Sequence, residues 1–476
     1  MRRPLLDKGP PFSYPAFHKL LSLGSHLPLM PCDQPTLGLT HQGRGHEFNP
    51  YMRDSKGEKV ELSPGSADKI KDLLQKGVDI PNPMTVHIGD EVDTTRISGR
   101  GVTVYPGCCI YGEKTVISEG TQIGYESPVT IENCHIGPSV ELRGGFFKES
   151  VFLEEASMGL GAHVREGCIL EEQASGAHCV ALKHTILFPF VTLGSLINFC
   201  DCLMAGGTSR DDHSEVGSSY IHFNFTPDGD KTTASLIGDV PRGVLLKQPR
   251  IFLGGQGGMV GPVRLGYGTM VAAGTILRND SLADNKLIVG KSYKDLVTNY
   301  TPYLYAGLSR ILGNNMIYLA NLVALEQWYI HVRREFFSRQ GFGPFMHEGA
   351  LEKLSLAKQE RVRRLEAMAE KMPTSLEKHE HKEKTATGKR EFAQRISEAS
   401  ELFFHEVGTP ALADHRERFL AGFRDHSKSH GGSYLEVIQS LPHAVGQEGT
   451  YWLQQIVDGL CGRVAAMMPS LRLFEK

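Results

Sequence analysis

The chain has 476 residues, 40% of them hydrophobic, and a formal net charge of −3, enough for two or three domains with ordinary cores. A near-neutral balance without a long basic stripe argues against nucleic acid and against an anionic membrane surface as partners. No run approaches the roughly 18 apolar residues a membrane span needs, and Met1-Arg2-Arg3-Pro4 lacks the apolar core of a secretion signal, so the expected compartment is the cytoplasm.

Residues 1–65 are rich in Pro, Gly and His without a clear period and read as an extended arm. Ser66 is placed to cap a short helix over 67–76, where Ile70, Leu73 and Leu74 share a face and Gly77 ends the run. Together these form an N-terminal arm with a linker helix over 1–85.

From about 86 to 278 apolar residues recur every six positions. The register runs Met158, Val164, Leu170, Gly176, Leu182, then in steps of five or six through Leu187, Leu193, Phe199 and Met204, and returns at Leu253, Met259, Leu265 and Val271. Neither the helical period of about 3.6 nor the strand period of about 2 produces this beat. A prism-shaped parallel β-helix does, because three six-residue sides close one coil and one inward residue per side stacks on the next coil. Eighteen residues then return the chain to the same corner, about 4.8 Å along the axis. The 52 glycines suit such corners.

The first coils read through Val104, Ile110, Ile117, Ile123, Val129, Ile136 and Leu142, and the beat is lost over 144–150. Interruptions at 205–214, 226–233 and 241–250 are expected to bulge as loops, where binding residues usually lie. The last of these carries Arg242, Lys247 and Arg250, which either add phosphate contacts or close the cleft. The solenoid is assigned to 86–296.

Residues 297–476 change to helical spacing, with Leu304, Leu308, Ile311, Leu319 and Leu322 on one face. Further helices are expected over 351–372, 390–407, 411–425 and 447–468. The charged run 377–384 contains two histidines but no apolar face, so it reads as a solvated linker near 373–390 rather than a metal site. This helical domain is a candidate cover for an open end of the solenoid. The nine cysteines include the close pairs Cys108-Cys109 and Cys200-Cys202 but no C-x-x-C spacing, and no metal is expected.

Arg165 and Lys183 each follow an inward residue and stand eighteen positions apart, which stacks two cations at one corner. Such a pair either clamps phosphate, Arg with its planar fork and Lys as a point charge, or is two solvated surface charges.

Residues 162–204 resemble the acetyltransferase domain of the bacterial bifunctional N-acetylglucosamine-1-phosphate uridylyltransferase/glucosamine-1-phosphate acetyltransferase, a left-handed β-helix of the hexapeptide acyltransferase superfamily. Val164, Leu170, Leu182, Leu187, Leu193, Phe199 and Met204 reproduce its unequal steps, Asn224-Phe225 stands where it has Asn-Tyr, and Val271-Ala272-Ala273-Gly274 continues the match. The resemblance implies a left-handed parallel β-helix, a sugar phosphate or nucleotide sugar as substrate, acetyl-CoA as donor, and a homotrimer whose neighbouring prisms complete the site. It implies that Arg165 and Lys183 hold phosphates and sugar, that Asn224 and Phe225 sit at the sugar and acyl donor, that Lys231 adds a cation, and that Ala273 lines the coenzyme A groove. The family's general-base His falls on Ser195, and a nearby substrate-side Tyr falls on Asn198. Ser cannot take the amine proton near neutral pH. His184, His213 and His222 are the local alternatives. No Gly-rich nucleotidyltransferase signature opens the chain. The expected function is therefore acyl transfer to a phosphorylated or nucleotide-linked amino sugar, and the alternative is a non-catalytic protein that binds a sugar nucleotide or serves a structural role.

Overall fold

The computed structural model describes residues 51–53, 59–61, 64–291, 295–378, 383–405 and 410–474. The N-terminal arm lies outside them apart from the antiparallel pair Tyr51–Arg53 and Lys59–Glu61, and residues 379–382 of the charged run also lie outside. Where described, the flanks of that run are helical, Met372–Lys378 and Glu383–Glu401.

The hexad register is that of a parallel solenoid. Ten short strands, among them Ser157–Met158, Ser175–Gly176 and Thr192–Leu193, stack as the first side of a prism. The second side contains Ala162–Val164, then Ala181 and Leu182, then Asn198 and Phe199. The third contains Cys168–Leu170, then Ile186 and Leu187, then Leu203 and Met204. Strands Ala181–Leu187 and Asn198–Met204 run from the second side to the third. Every residue of the register from Met158 to Met204 that carries an apolar side chain is at most 1% exposed.

Two details differ from the expected register. Ile131, not Val129, stacks on Ile110, because the strand Val129–Glu132 holds two buried residues on alternate positions. The beat also persists through 144–150: Phe147 pairs with Ile131 and Val164, and Phe152 with Ile136 and Leu170. Five-residue steps had hidden it. Ser66 likewise does not begin its helix, which spans Pro64–Lys76; it is fully buried and its hydroxyl accepts from the Ile88 N–H at 3.0 Å, tying the helix to the first coil.

Two of the C-terminal helices lie against a flat side of the prism. Helix α1 (Leu308–Trp328) and helix α2 (Gly343–Ala369) lie along the third side. The cause is legible in the outward row of that side, where Val116, His135, Val151, Ile169, Ile186, Leu203 and Leu236 stack in register. All are at most 5% exposed. Each apolar member contributes about 1.5–3 kcal/mol by leaving water. On the second side the equivalent row contains Phe146, His163, Ala181, Asn198 and Ile221, and none of these is buried.

Ion pairs fix the helices to the corner between the third and first sides. Arg333 bonds Glu172 and pairs with Glu171 at 2.9 Å, Tyr329 donates to Glu171 at 2.6 Å, and the Arg333 guanidinium lies 3.6 Å from the Tyr434 ring centroid.

Candidate functional site

Strand Ala162–Val164 turns its last residue inward, so Arg165 is the first side chain beyond the edge of the second side. The pairing of Val164 with Leu182 places Lys183 on the next coil beside Arg165, and Lys183 in turn pairs with Cys200. Lys148, which follows Phe147, heads the same column. The three cations differ in their partners. Lys148 pairs with Glu132 at 2.8 Å and Lys183 with Glu166 at 2.6 Å, whereas Arg165 ion-pairs with none of the described carboxylates. Burial works against ionisation of Glu166, yet the hydrogen bond and charge of Lys183 hold its carboxyl below the ordinary value. Burial also pushes the Cys200 thiol up, opposed by the charges of Arg165 and Lys183 and by a hydrogen bond from Arg165.

One coil further on, the strand Ile221–Phe223 leads into the loop 224–234 at this same corner. Asn224 is exposed and its side-chain oxygen accepts from the Thr233 hydroxyl at 2.6 Å; Phe225 is 72% exposed. Lys231 is exposed, and its carbonyl accepts from Arg361 of α2 at 3.3 Å. The helical region holds this loop from the other side: Tyr305 donates to Asp230 at 2.9 Å, the Tyr303 N–H to Asp228 at 3.0 Å, and Asn315 to the Thr232 carbonyl at 3.1 Å. Arg165, Lys183, Asn224 and Phe225 are therefore brought to one edge, with Lys231 in the same loop.

Ser195 and Ala273 stand elsewhere, at the corner between the first and second sides. There Leu196 N–H donates to the His178 carbonyl at 3.1 Å, Ser219 N–H to Ser195 at 2.8 Å, and Gln256 N–H to Ser218 at 2.8 Å, so successive coils stack turn on turn. Asn198 lies between the two edges, exposed on the second side. A single chain thus separates the Arg165 edge from the Ser195 corner by the width of one side.

The three expected alternatives to the missing base lie away from the Ser195 corner. His222 is inside the prism, with Nδ1 2.6 Å from the Cys200 carbonyl and Nε2 2.8 Å from the Ser235 hydroxyl, and burial pushes its imidazole down to about 4. His184 is buried at the corner between the second and third sides, and burial lowers it as well. His213 Nδ1 donates to the Arg210 carbonyl at 2.7 Å within the loop 205–214. The imidazole beside Ser195 is one the sequence reading passed over: His178 Nδ1 is 2.8 Å from the Ser195 hydroxyl. Its seventeen-residue spacing from Ser195 was the available signal, since Gly176 to Leu193 and Leu182 to Phe199 are coils of that length.

The loop 241–250 leaves the corner between the third and first sides, so within one chain it stands away from the Arg165 edge. Arg242 is held by Asp239 at 2.7 Å and Asp284 at 2.6 Å, Lys247 bonds the Leu441 carbonyl, and Arg250 pairs with Asp212 at 3.5 Å. A cavity of about 500 Å³ near it, lined by Arg242, Arg264, Leu265, Ile317, Val457 and Cys461, contains none of Arg165, Lys183, Ser195, Asn198, Asn224, Phe225, Lys231 and Ala273. Among the described residues no group of three or more His, Cys, Asp or Glu could hold a metal, and no helix is long and apolar enough to cross a membrane.

Comparison with known proteins supplies the relatives. The chain is 29% identical over 211 residues to the bifunctional protein GlmU of Pelobacter propionicus, covering 44% of this chain and 40% of the relative. It is 28% identical over 213 residues to GlmU of Thermotoga maritima, with 44% and 42% covered, and 26% identical over 257 residues to GlmU of a Janthinobacterium strain, with 54% and 51% covered. The chain resembles the acetyltransferase β-helix of GlmU. No protein-family model matches it. The likeness to GlmU, with the solenoid topology, makes the coil a left-handed parallel β-helix. The chain spans about half the length, or less, of these relatives.

Proposed function

We propose that this protein is a hexapeptide-type acyltransferase acting on a phosphorylated or nucleotide-linked amino sugar, with acetyl-CoA as donor. The observation that carries the reading is the stacking of Arg165 on Lys183 at the edge where Asn224 and Phe225 emerge. In this reading the Arg165 fork takes phosphate oxygens, and Lys183 exchanges Glu166 for the same anion. Asn224 and Phe225 contact sugar and acyl donor, Asn198 faces the substrate, Lys231 adds charge at the loop, and Ala273 lines the groove for the coenzyme arm.

A homotrimer follows from the same reading. The Arg165 edge and the Ser195 corner lie a full side apart in one chain, and a neighbouring prism is what brings one edge to the other corner. Light scattering at micromolar concentration should return a mass three times that of the chain; a monomer counts against the arrangement.

A second reading, a sugar-nucleotide-binding protein without turnover, draws on Ser195, because a positioned base contributes about 10²- to 10⁴-fold in rate. Calorimetry with UDP-N-acetylglucosamine and with glucosamine 1-phosphate, followed by a thiol-release assay with acetyl-CoA, separates the two. Binding with thiol release supports the enzyme, binding alone supports the second reading, and no binding of either ligand removes both.

A further inference from the structure

The hydroxyl of Ser195 lies 2.8 Å from Nδ1 of His178, on the coil immediately before it. Both residues sit in turns at the corner between the first and second sides, and both turns are held by backbone bonds to neighbouring coils: Leu196 N–H to the His178 carbonyl at 3.1 Å and Ser219 N–H to the Ser195 carbonyl at 2.8 Å. The Ser195 N–H donates to the Ser218 hydroxyl at 3.2 Å, a third tie at the same place. His178 is exposed, and it borders a groove of about 390 Å³ on the first side whose walls include Ser175, Ala177, Leu160 and Thr192. An imidazole is thus presented at an open groove by a rigid corner.

We propose that His178 is the catalytic base of acyl transfer at this site and that Ser195 is the residue that positions it. The inference rests on the acyltransferase reading above. With Nδ1–H donating to the Ser195 hydroxyl, Nε2 is left as the lone-pair nitrogen, the form a proton acceptor needs. Ser195 thereby acts through the imidazole and not on the amine itself.

His213 also has Nδ1 engaged, but it stands in the loop 205–214 between the third and first sides, and three other histidines differ from His178 in their surroundings. Both ring nitrogens of His222 are engaged inside the prism. His184 is buried, its ring pressed against Gly167, where an added Cβ would lie 2.3 Å from Nδ1. His163 is exposed on the second side, but its ring packs against Phe146 with centroids 5.2 Å apart, which covers one face of the imidazole.

The step balances as follows. The amine nitrogen of the sugar forms a C–N bond to the acetyl carbonyl carbon, and the C–S bond of the thioester breaks. The amine proton passes to Nε2 of His178. The imidazolium then returns it to the departing thiolate, which leaves as free coenzyme thiol.

The test uses the full chain and measures thiol release from acetyl-CoA with glucosamine 1-phosphate, together with sugar-phosphate affinity by calorimetry. His178→Ala should lower kcat by about 10²- to 10⁴-fold while the affinity stays within twofold. In the wild type, kcat should fall on the acid side of the pH profile, and that limb should vanish in His178→Ala. Ser195→Ala should lower kcat less than His178→Ala and move the acid limb, an effect that simple loss of a surface hydroxyl does not produce. Exchanging the two residues, His178→Ser with Ser195→His, should restore part of the rate. His163→Ala should leave kcat unchanged. A wild-type rate in His178→Ala, with turnover present, overturns this assignment alone. A wild-type protein that binds sugar phosphate but releases no thiol overturns the enzymatic reading and this assignment with it. Should His178→Ala lose its cooperative thermal transition, His178→Gln replaces it and the same outcomes apply.

Discussion

Arg361 on the second long helix donates to the Asp201 carboxylate at 2.6 Å, one position beyond Cys200 in the cation column, and to the Lys231 carbonyl at 3.3 Å. The helical region therefore grips both the edge that carries the candidate phosphate site and the loop that follows it. Both side chains are nearly buried, 2% and 9% exposed. Removing one partner leaves the other charge uncompensated, which costs about 3–5 kcal/mol. Arg361→Leu should lower unfolding stability by that amount in urea titration, and Asp201→Asn combined with it should recover part of the loss. Additive effects of the two changes would show that the pair is not coupled.

Lys183 is spoken for by Glu166 in the free protein, so anion binding there competes with an internal pair. Glu166→Gln should tighten sugar-phosphate binding, whereas Arg165→Ala or Lys183→Ala should weaken it by about 1.5–3 kcal/mol, the usual range for a charge-assisted hydrogen bond. Thermal midpoints should hardly change for Arg165→Ala, since that side chain is exposed. Calorimetry on the three variants gives the order directly; an unchanged affinity in Arg165→Ala removes the phosphate site.

Burial holds the His222 imidazole neutral and pushes it down to about 4. The unfolded chain takes up a proton near the ordinary histidine value of about 6.5, which the native state refuses until far lower pH. The stabilisation is therefore complete above the unfolded value and is lost as pH falls toward the folded one, on the order of 3 kcal/mol in all. Denaturation series between pH 7 and 4.5 should show falling stability, with a shallower slope in His222→Gln. His135, pushed down to about 4 by its own burial, contributes in the same direction and keeps the slope from vanishing.

Gly349 brings the same helix against His135, where an added Cβ would lie 2.6 Å from the ring carbons. Alanine favours helix interiors over glycine by about 0.8–1.0 kcal/mol, but overpacking costs about 1–3 kcal/mol. Gly349→Ala should lower the unfolding midpoint, and the double variant with His135→Ala should lose less than the sum of the two single effects. Stabilisation by Gly349→Ala alone would mean that the helix can shift without penalty.

The solenoid was readable from the chain because each inward side chain stacks on one only seventeen or eighteen residues away, so the core repeats as a local pattern: Val164, Leu182 and Phe199 declare it. The same pattern placed Arg165 above Lys183. It faltered at Phe147 and Phe152, where five-residue steps broke the expected spacing while the stacking itself continued. Other features depended on contacts that no period encodes. Ile169, Ile186 and Leu203 point outward, and only the docking of helices far along the chain makes them core. Whether Lys183 is free or paired, and which imidazole stands beside Ser195, were decided by side chains meeting across coils. Hydrogen bonds and ion pairs act over about 3 Å, a precision that only the packed corners of the prism provide.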